Sequence, residues 1–280
     1  MTKGTAAVPA VPPLEPKARF GDLVAAEWIK LWSLRSTPWA FAATVVLTLT
    51  ITVFGAIADA QHYTGYDADH KAYFRSFGTL ADAFSRGAST MVIVGAGAIG
   101  AITVLGECTT GMIRTTFAAV PARTSVMAAK LAVVTAATTL LGVACAFGSY
   151  AAAQAVLAGQ DVAVGLGHPG MMRLLLASVL LAPVSALVGM GLAAVIRHSV
   201  LTIVATIALL FVVPSMLDDR SHFGVSLVHM TIPQAWDRLG HAPASSPQWP
   251  WTVWGAFLVL AVWVLVAAAL TVFTTNHRDQ

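Results

Sequence analysis

Six apolar runs, at roughly 38–58, 88–106, 131–158, 174–196, 199–217 and 251–273, contain no Asp, Glu, Lys, Arg or His. The shortest has 19 residues, and a helix needs about 20 to cross the hydrocarbon of a bilayer. Strands of a membrane barrel are about half that length and alternate in polarity, a pattern these runs lack. The expected fold class is therefore an all-α integral membrane protein with six transmembrane helices. Composition agrees: 57% of the 280 residues are hydrophobic and 10% charged, against about 25% charged in a soluble domain. Too few charged residues exist to cover a water-soluble surface. The third run, 28 residues long, would reach about 42 Å as a helix, enough to tilt or to project beyond the bilayer.

The stretch 1–19 is rich in Pro and Ala, lacks a period and reads as a disordered cytoplasmic tail. Over 20–36 the pattern changes. Phe20, Leu23, Val24, Trp28, Leu31 and Trp32 recur at helical spacing among Asp22, Glu27, Lys30 and Arg35. Such a segment is an N-terminal amphipathic interfacial helix lying along the membrane face. Thr37 and Pro38 then offer an N-cap and a first-turn proline for the first span. The six-span domain covers 37–275, leaving 276–280 as a short C-terminus.

Lys and Arg in the connections set the orientation. With the N-terminus inside, ten fall on inner segments (Lys3, Lys17, Arg19, Lys30, Arg35, Arg114, Arg123, Lys130, Arg197, Arg278) and six on outer ones. Both termini are expected in the cytoplasm. The outer connection 218–250 carries four prolines and a half-apolar stretch from Val225 to Leu239, which suits a broken hairpin dipping back towards the lipid, covered by protein.

Several chemistries are disfavoured. Gly95, Gly97 and Gly100 spell G-x-G-x-x-G, but the motif sits inside an apolar run rather than after a strand, so close helix packing is the better reading. No P-loop sequence is present, so ATP is not expected in this chain. The eight histidines fall in loops or at helix ends without metal-site spacing, and Cys108 and Cys145 make no disulfide framework. An intramembrane serine protease would need a base inside the spans, and an ion-coupled carrier an ionisable relay there. Neither is found. No catalytic, cofactor-binding or metal residue is expected.

The most informative connection runs from Glu107 through Gly111, Met112, Ile113, Arg114, Phe117 and Arg123 to Lys130. Its plain reading is a positive-inside loop. It is nonetheless longer than a hairpin requires and keeps apolar residues, as a short helix docking on a cytosolic partner would.

The opening AEWIKLWSLRSTPW, the six spans and the loop GECTTGMIRTTFAAVPARTSVMAAK together resemble ABC-2 type transporter permeases, particularly those of actinobacteria, over roughly 20–275. The resemblance implies a connecting helix at 20–35, with Glu27, Trp28, Lys30 and Arg35. It implies a coupling element at 107–126, with Glu107, Gly111, Met112, Ile113, Arg114, Phe117 and Arg123 facing an ATPase subunit. Where family members often have Glu-Tyr-Arg and paired basic residues after the proline, this chain has Glu107-Cys108-Thr109 and Pro121-Ala122-Arg123.

By resemblance, the chain is expected to be the permease subunit of an exporter in a bacterial cell membrane. A separate P-loop ATPase subunit would bind ATP and magnesium, and a second permease copy or homologue would complete the path. Spans without ionisable groups suit a lipophilic or amphipathic cargo such as a drug, an antibiotic (hence antibiotic resistance) or a lipid-linked molecule. The alternative is a non-transporting scaffold or an immunity or sensor subunit. No nucleic-acid partner is expected.

Overall fold

The computed structural model describes residues 19–63, 65–74, 78–110, 122–160, 162–217, 221–240 and 251–278. All regular structure among them is helical. Six helices are long and apolar enough to cross a membrane: Ser36–Tyr63, Thr79–Cys108, Arg123–Leu157, Met171–Ile196, Ser199–Met216 and Val253–Thr274. The expected tail, apart from Arg19, lies outside the described residues, as do 279–280.

In chain order the helices are α1 (Phe20–Ser33), α2 (Ser36–Tyr63), α3 (Ala68–Tyr73), α4 (Thr79–Ala83), α5 (Arg86–Thr110), α6 (Arg123–Leu157) and α7 (Met171–Ile196). They continue with α8 (Ser199–Met216), which contains a π-helical turn at Ala208–Val212, then α9 (His222–His229), α10 (Ile232–Gly240) and α11 (Val253–Arg278). Several ends differ from expectation. α2 starts at Ser36, ahead of the expected Thr37 cap, so Pro38 sits in the first turn, where its missing N–H costs no helix bond. The connection expected at 107–130 is shorter, because α5 continues to Thr110 and α6 begins at Arg123. Ending a span at its first charge leaves Glu107 and Lys130 outside helices that in fact include them.

α7 is the central helix. Of its apolar window 78% is buried, against 22% for α2 and α11 and 17% for α8. It packs against α5, α6, α8, α10 and α11, and a helix apolar on every side needs such a surround. Small residues bring the backbones together. A Cβ on Gly100 would overlap the Ala186 carbonyl of α7, one on Gly189 would overlap the Gly97 carbonyl, and one on Gly142 would overlap the Val179 carbonyl. Pro183 lacks the N–H that would have bonded that Val179 carbonyl, so the close approach of α6 falls where the α7 ladder is open. The G-x-G-x-x-G of α5 is thus a packing device facing three helices: Gly95 meets Thr44 of α2, Gly97 meets Thr206 and Leu210 of α8, and Gly100 meets α7.

α2 presents a buried threonine stripe to α5 and α6. Thr44, Thr48 and Thr52 each donate to the carbonyl four residues earlier, at 2.8, 2.7 and 3.1 Å, and Thr52 also reaches Ser149 of α6 at 3.1 Å. These bonds satisfy the hydroxyls inside an apolar bundle. At the end of the bundle away from α1, the described part of the 218–250 connection forms two short helices, α9 and α10, joined through Met230 and Thr231, with α10 packed on α7 and α11. Trp236 of α10 is fully buried, donates from Nε1 to Ser178 Oγ of α7 at 2.9 Å, and meets Phe84 edge-on at 5.8 Å. The second part of that connection, 241–250, lies outside the described residues.

Gly100→Val should disrupt the bundle, because the overlap falls on backbone that cannot rotate away. Its cost should reach or exceed the about 1–3 kcal/mol typical of overpacking, read as a lower melting midpoint and lost monodispersity in detergent. Gly21→Ala, where nothing lies within 4 Å on α1, should be neutral or stabilise by about 0.5–1 kcal/mol.

Candidate functional site

Charges buried in an apolar bundle are retained only when they are paired and hydrogen-bonded. Four such groups meet at the α1 end. α1 is short, and its apolar face docks across the start of α6: Leu23 packs by Val126 and Met127, while Val24 and Leu31 pack by Val133 and Ala137. This contact turns Glu27 inward, where it is 4% exposed. Glu107, near the end of α5, and Lys130, in the second turn of α6, are buried beside it, and Lys30 is half-buried.

The four side chains close a ring of alternating sign. Lys130 Nζ donates to Glu27 Oε2 at 2.5 Å and to Glu107 Oε1 at 2.8 Å. Lys30 Nζ donates to Glu27 Oε1 at 2.7 Å and to Glu107 Oε1 at 3.3 Å. Two carboxylates and two ammonium groups leave no net charge, which is how the apolar surround tolerates them. A cavity of about 70 Å³ opens beside the ring, bounded also by Thr103, Gly106 and Val133.

Burial, the largest single effect on Glu27, would raise its carboxyl, but the Lys130 charge and the hydrogen bonds from Lys130 and Lys30 outweigh it and hold it below its ordinary 4.5. Burial likewise disfavours charge on Lys30, yet the Glu27 hydrogen bond and the nearby Glu107 charge raise it above its ordinary 10.5. The ring joins three helices as a charged latch. α1, α5 and α6 cannot move apart at this end without separating opposite charges.

Of the residues expected to face a partner, Glu107 has its carboxylate committed to two lysines of its own chain. Arg123 opens α6 and is half-buried. Gly111, Met112, Ile113, Arg114 and Phe117 lie outside the described residues. Of the connecting-helix residues, Glu27 and Lys30 enter the ring, Trp28 meets Trp32 edge-on at 5.9 Å, and Arg35 is exposed at the corner between α1 and α2. Lys130 ends the loop that carries the family resemblance, but no motif in the sequence marks it as an inward-facing partner. Its one signal there is charge matching: an acid and a lysine lie at the two span ends flanking the 111–121 segment, and another acid and lysine lie three apart on α1. No protein-family model matches the chain, and no curated protein matches it.

Removing one member leaves the ring with one buried charge uncompensated, which typically costs about 3–5 kcal/mol. Lys130→Met should therefore lower the melting midpoint in detergent clearly more than Arg35→Met, an exposed control. The ring also sets a pH window. Glu27's contribution is complete above its ordinary 4.5 and is lost as pH falls through its lowered folded value; Lys30's is complete below 10.5 and is lost as pH rises through its raised value. The melting midpoint of the unaltered chain should fall at both extremes, and Glu27→Gln should flatten the acid limb.

Proposed function

We propose that this chain is the membrane-spanning permease subunit of an ABC-2 type exporter, moving a lipophilic or amphipathic cargo with a separate ATPase subunit as its motor. The observation that carries the reading is the charged ring. Glu107 lies four residues before the 111–121 segment and Lys130 nine residues after it, so both ends of that segment run directly into the ring. The resemblance of this same segment to the coupling element of ABC-2 permeases supports its role as the ATPase contact.

On this reading, a displacement of 111–121 by the ATPase moves the ends of α5 and α6 together, and Glu27 and Lys30 carry α1 with them. The ring keeps the moving parts one body while α5, pinned along its length to α7, transmits the motion across the membrane. Such coupling requires that the ATPase contact differ between the two conformations of the permease. The excess of Lys and Arg on the inner connections supports a cytoplasmic position for the ring and both termini, and the family resemblance supports a bacterial cell membrane. A second copy or a homologue completes the path, and ATP and magnesium reside in the ATPase.

Purification of the tagged chain from its native host in mild detergent should bring down a P-loop ATPase in near-stoichiometric amount. Glu107→Gln should leave that ATPase bound, because the altered side chain faces inward, yet lower coupled transport by roughly two- to thirty-fold, the range of a 0.5–2 kcal/mol coupling loss. Recovery of an intact, folded chain with no ATPase would overturn the exporter reading and favour a scaffold or sensor subunit.

A further inference from the structure

Two cavities lie side by side at the end of the bundle away from the ring, between the start of α5, the π-turn region of α8, and α10. Arg86 is 21 residues from Glu107 along α5, about 31 Å at helical rise, so this place is distinct from the charged latch. The first cavity, of about 430 Å³, is lined mostly by apolar groups, Phe211 and Trp236 among them, but one wall is polar: Arg86, Ser89 and Thr90 from α5, Ser215 from α8, and Gln234 and Asp237 from α10. The second, of about 220 Å³, is apolar, with Leu217, Leu227, Met230, Ile232 and Trp263 around it. Leu210 and Pro233 border both, so the two cavities share one partition.

The partition has a backbone cause. Pro214 has no N–H to give the Leu210 carbonyl, and over Ala208–Val212 the helix widens to the π pattern, with the Val213 N–H bonding the Ala208 carbonyl. The wider turn brings Leu210 to the border of both cavities and Phe211 to the polar one. Single π-turns of this kind recur at functional sites.

The polar wall carries both signs. Arg86 grips Asp237 in a bidentate pair, with Nε to Oδ1 and Nη2 to Oδ2 each at 3.1 Å. The Arg86 side chain is nonetheless 81% exposed, so the rest of the guanidinium edge can still donate. A ligand with one charge would gain from one member of this pair and meet the like charge of the other. A zwitterion can satisfy both, its anionic oxygens on the guanidinium and its ammonium against the carboxylate. A cavity with one charged wall, sharing a partition with an apolar neighbour, therefore calls for a head group carrying both charges and a single apolar chain, and the two volumes together fall in the range of ligand sites.

We infer that the cavities bordered by Leu210 and Pro233 form one bipartite site for a zwitterionic, single-chain amphiphile, with its head group at Arg86 and Asp237 and its chain beside Trp263. Occupancy needs no ATPase, so the site stands or falls separately from the transport reading.

The test uses the full chain, purified in dodecyl maltoside and titrated with lysophosphatidylethanolamine brominated in its acyl chain, whose primary ammonium can donate to Asp237, since bromine quenches indole fluorescence on contact. Quenching should saturate, and its saturable part should largely vanish in Trp263→Phe. Arg86→Gln and Asp237→Asn should each raise the half-saturating concentration about tenfold, as for loss of one charge-assisted hydrogen bond. Brominated lysophosphatidylglycerol, which is anionic, and a brominated monoglyceride, which is uncharged, should need about tenfold more than the zwitterion for the same reason. Equal half-saturation for the three lipids, tighter binding of the anionic one, or saturable quenching that survives Trp263→Phe would overturn the site. The lipid series requires no altered residue at the ion pair, so misfolding of a variant does not spoil the test.

Discussion

The close approach of α5 and α7 holds the rest of the molecule in place. Gly97 lies on Gly189 and Gly100 on Ala186, backbone against backbone. In a bundle surrounded by lipid, helix association draws on packing and internal hydrogen bonds rather than on removing apolar surface from water, so such contacts matter more than in a soluble core. Both places of interest are mounted on the helix this contact pins. Glu107, near one end of α5, belongs to the charged ring, and Arg86, its first residue, belongs to the polar cavity.

The ring solves a problem that the apolar composition creates. An unpaired carboxylate or ammonium at these depths of burial would be costly, and a lone pair of opposite charges would still leave lone pairs and protons unsatisfied. Two of each, arranged so that each lysine bridges both glutamates, give every ammonium two acceptors. A neutral ring is therefore a means of joining three helices firmly where apolar packing alone would let them slide. That property is what a coupling element requires, and it supports the proposed role.

The charged site is legible in the sequence only in part. Glu107 stands out as the charge that ends an apolar run, Glu27 and Lys30 as charges on the amphipathic segment, and the family resemblance draws attention to the same two segments. Their direction is not legible. A charge after a span normally marks the water boundary, which points Glu107 at a partner surface; it faces inward because Lys130, 23 residues on, returns to it after the 111–121 segment. Lys130 itself looks like an ordinary positive-inside residue. The polar cavity leaves no trace in the sequence, because Arg86 and Asp237 are 151 residues apart and neither lies in a recognisable motif.

The sequence by itself determined the six spans and the amphipathic α1, because hydrocarbon thickness and helical period act on local composition and need no knowledge of neighbours. It also determined that the α5 glycines serve packing, since their place inside an apolar run left few other uses. Only the tertiary structure decided which charges meet, that α7 is the central helix, and where the π-turn partitions two cavities. Those outcomes depend on contacts between residues far apart in the chain, and burial, which decides whether a charge faces water or another charge, is a property of the assembled bundle and not of any segment within it.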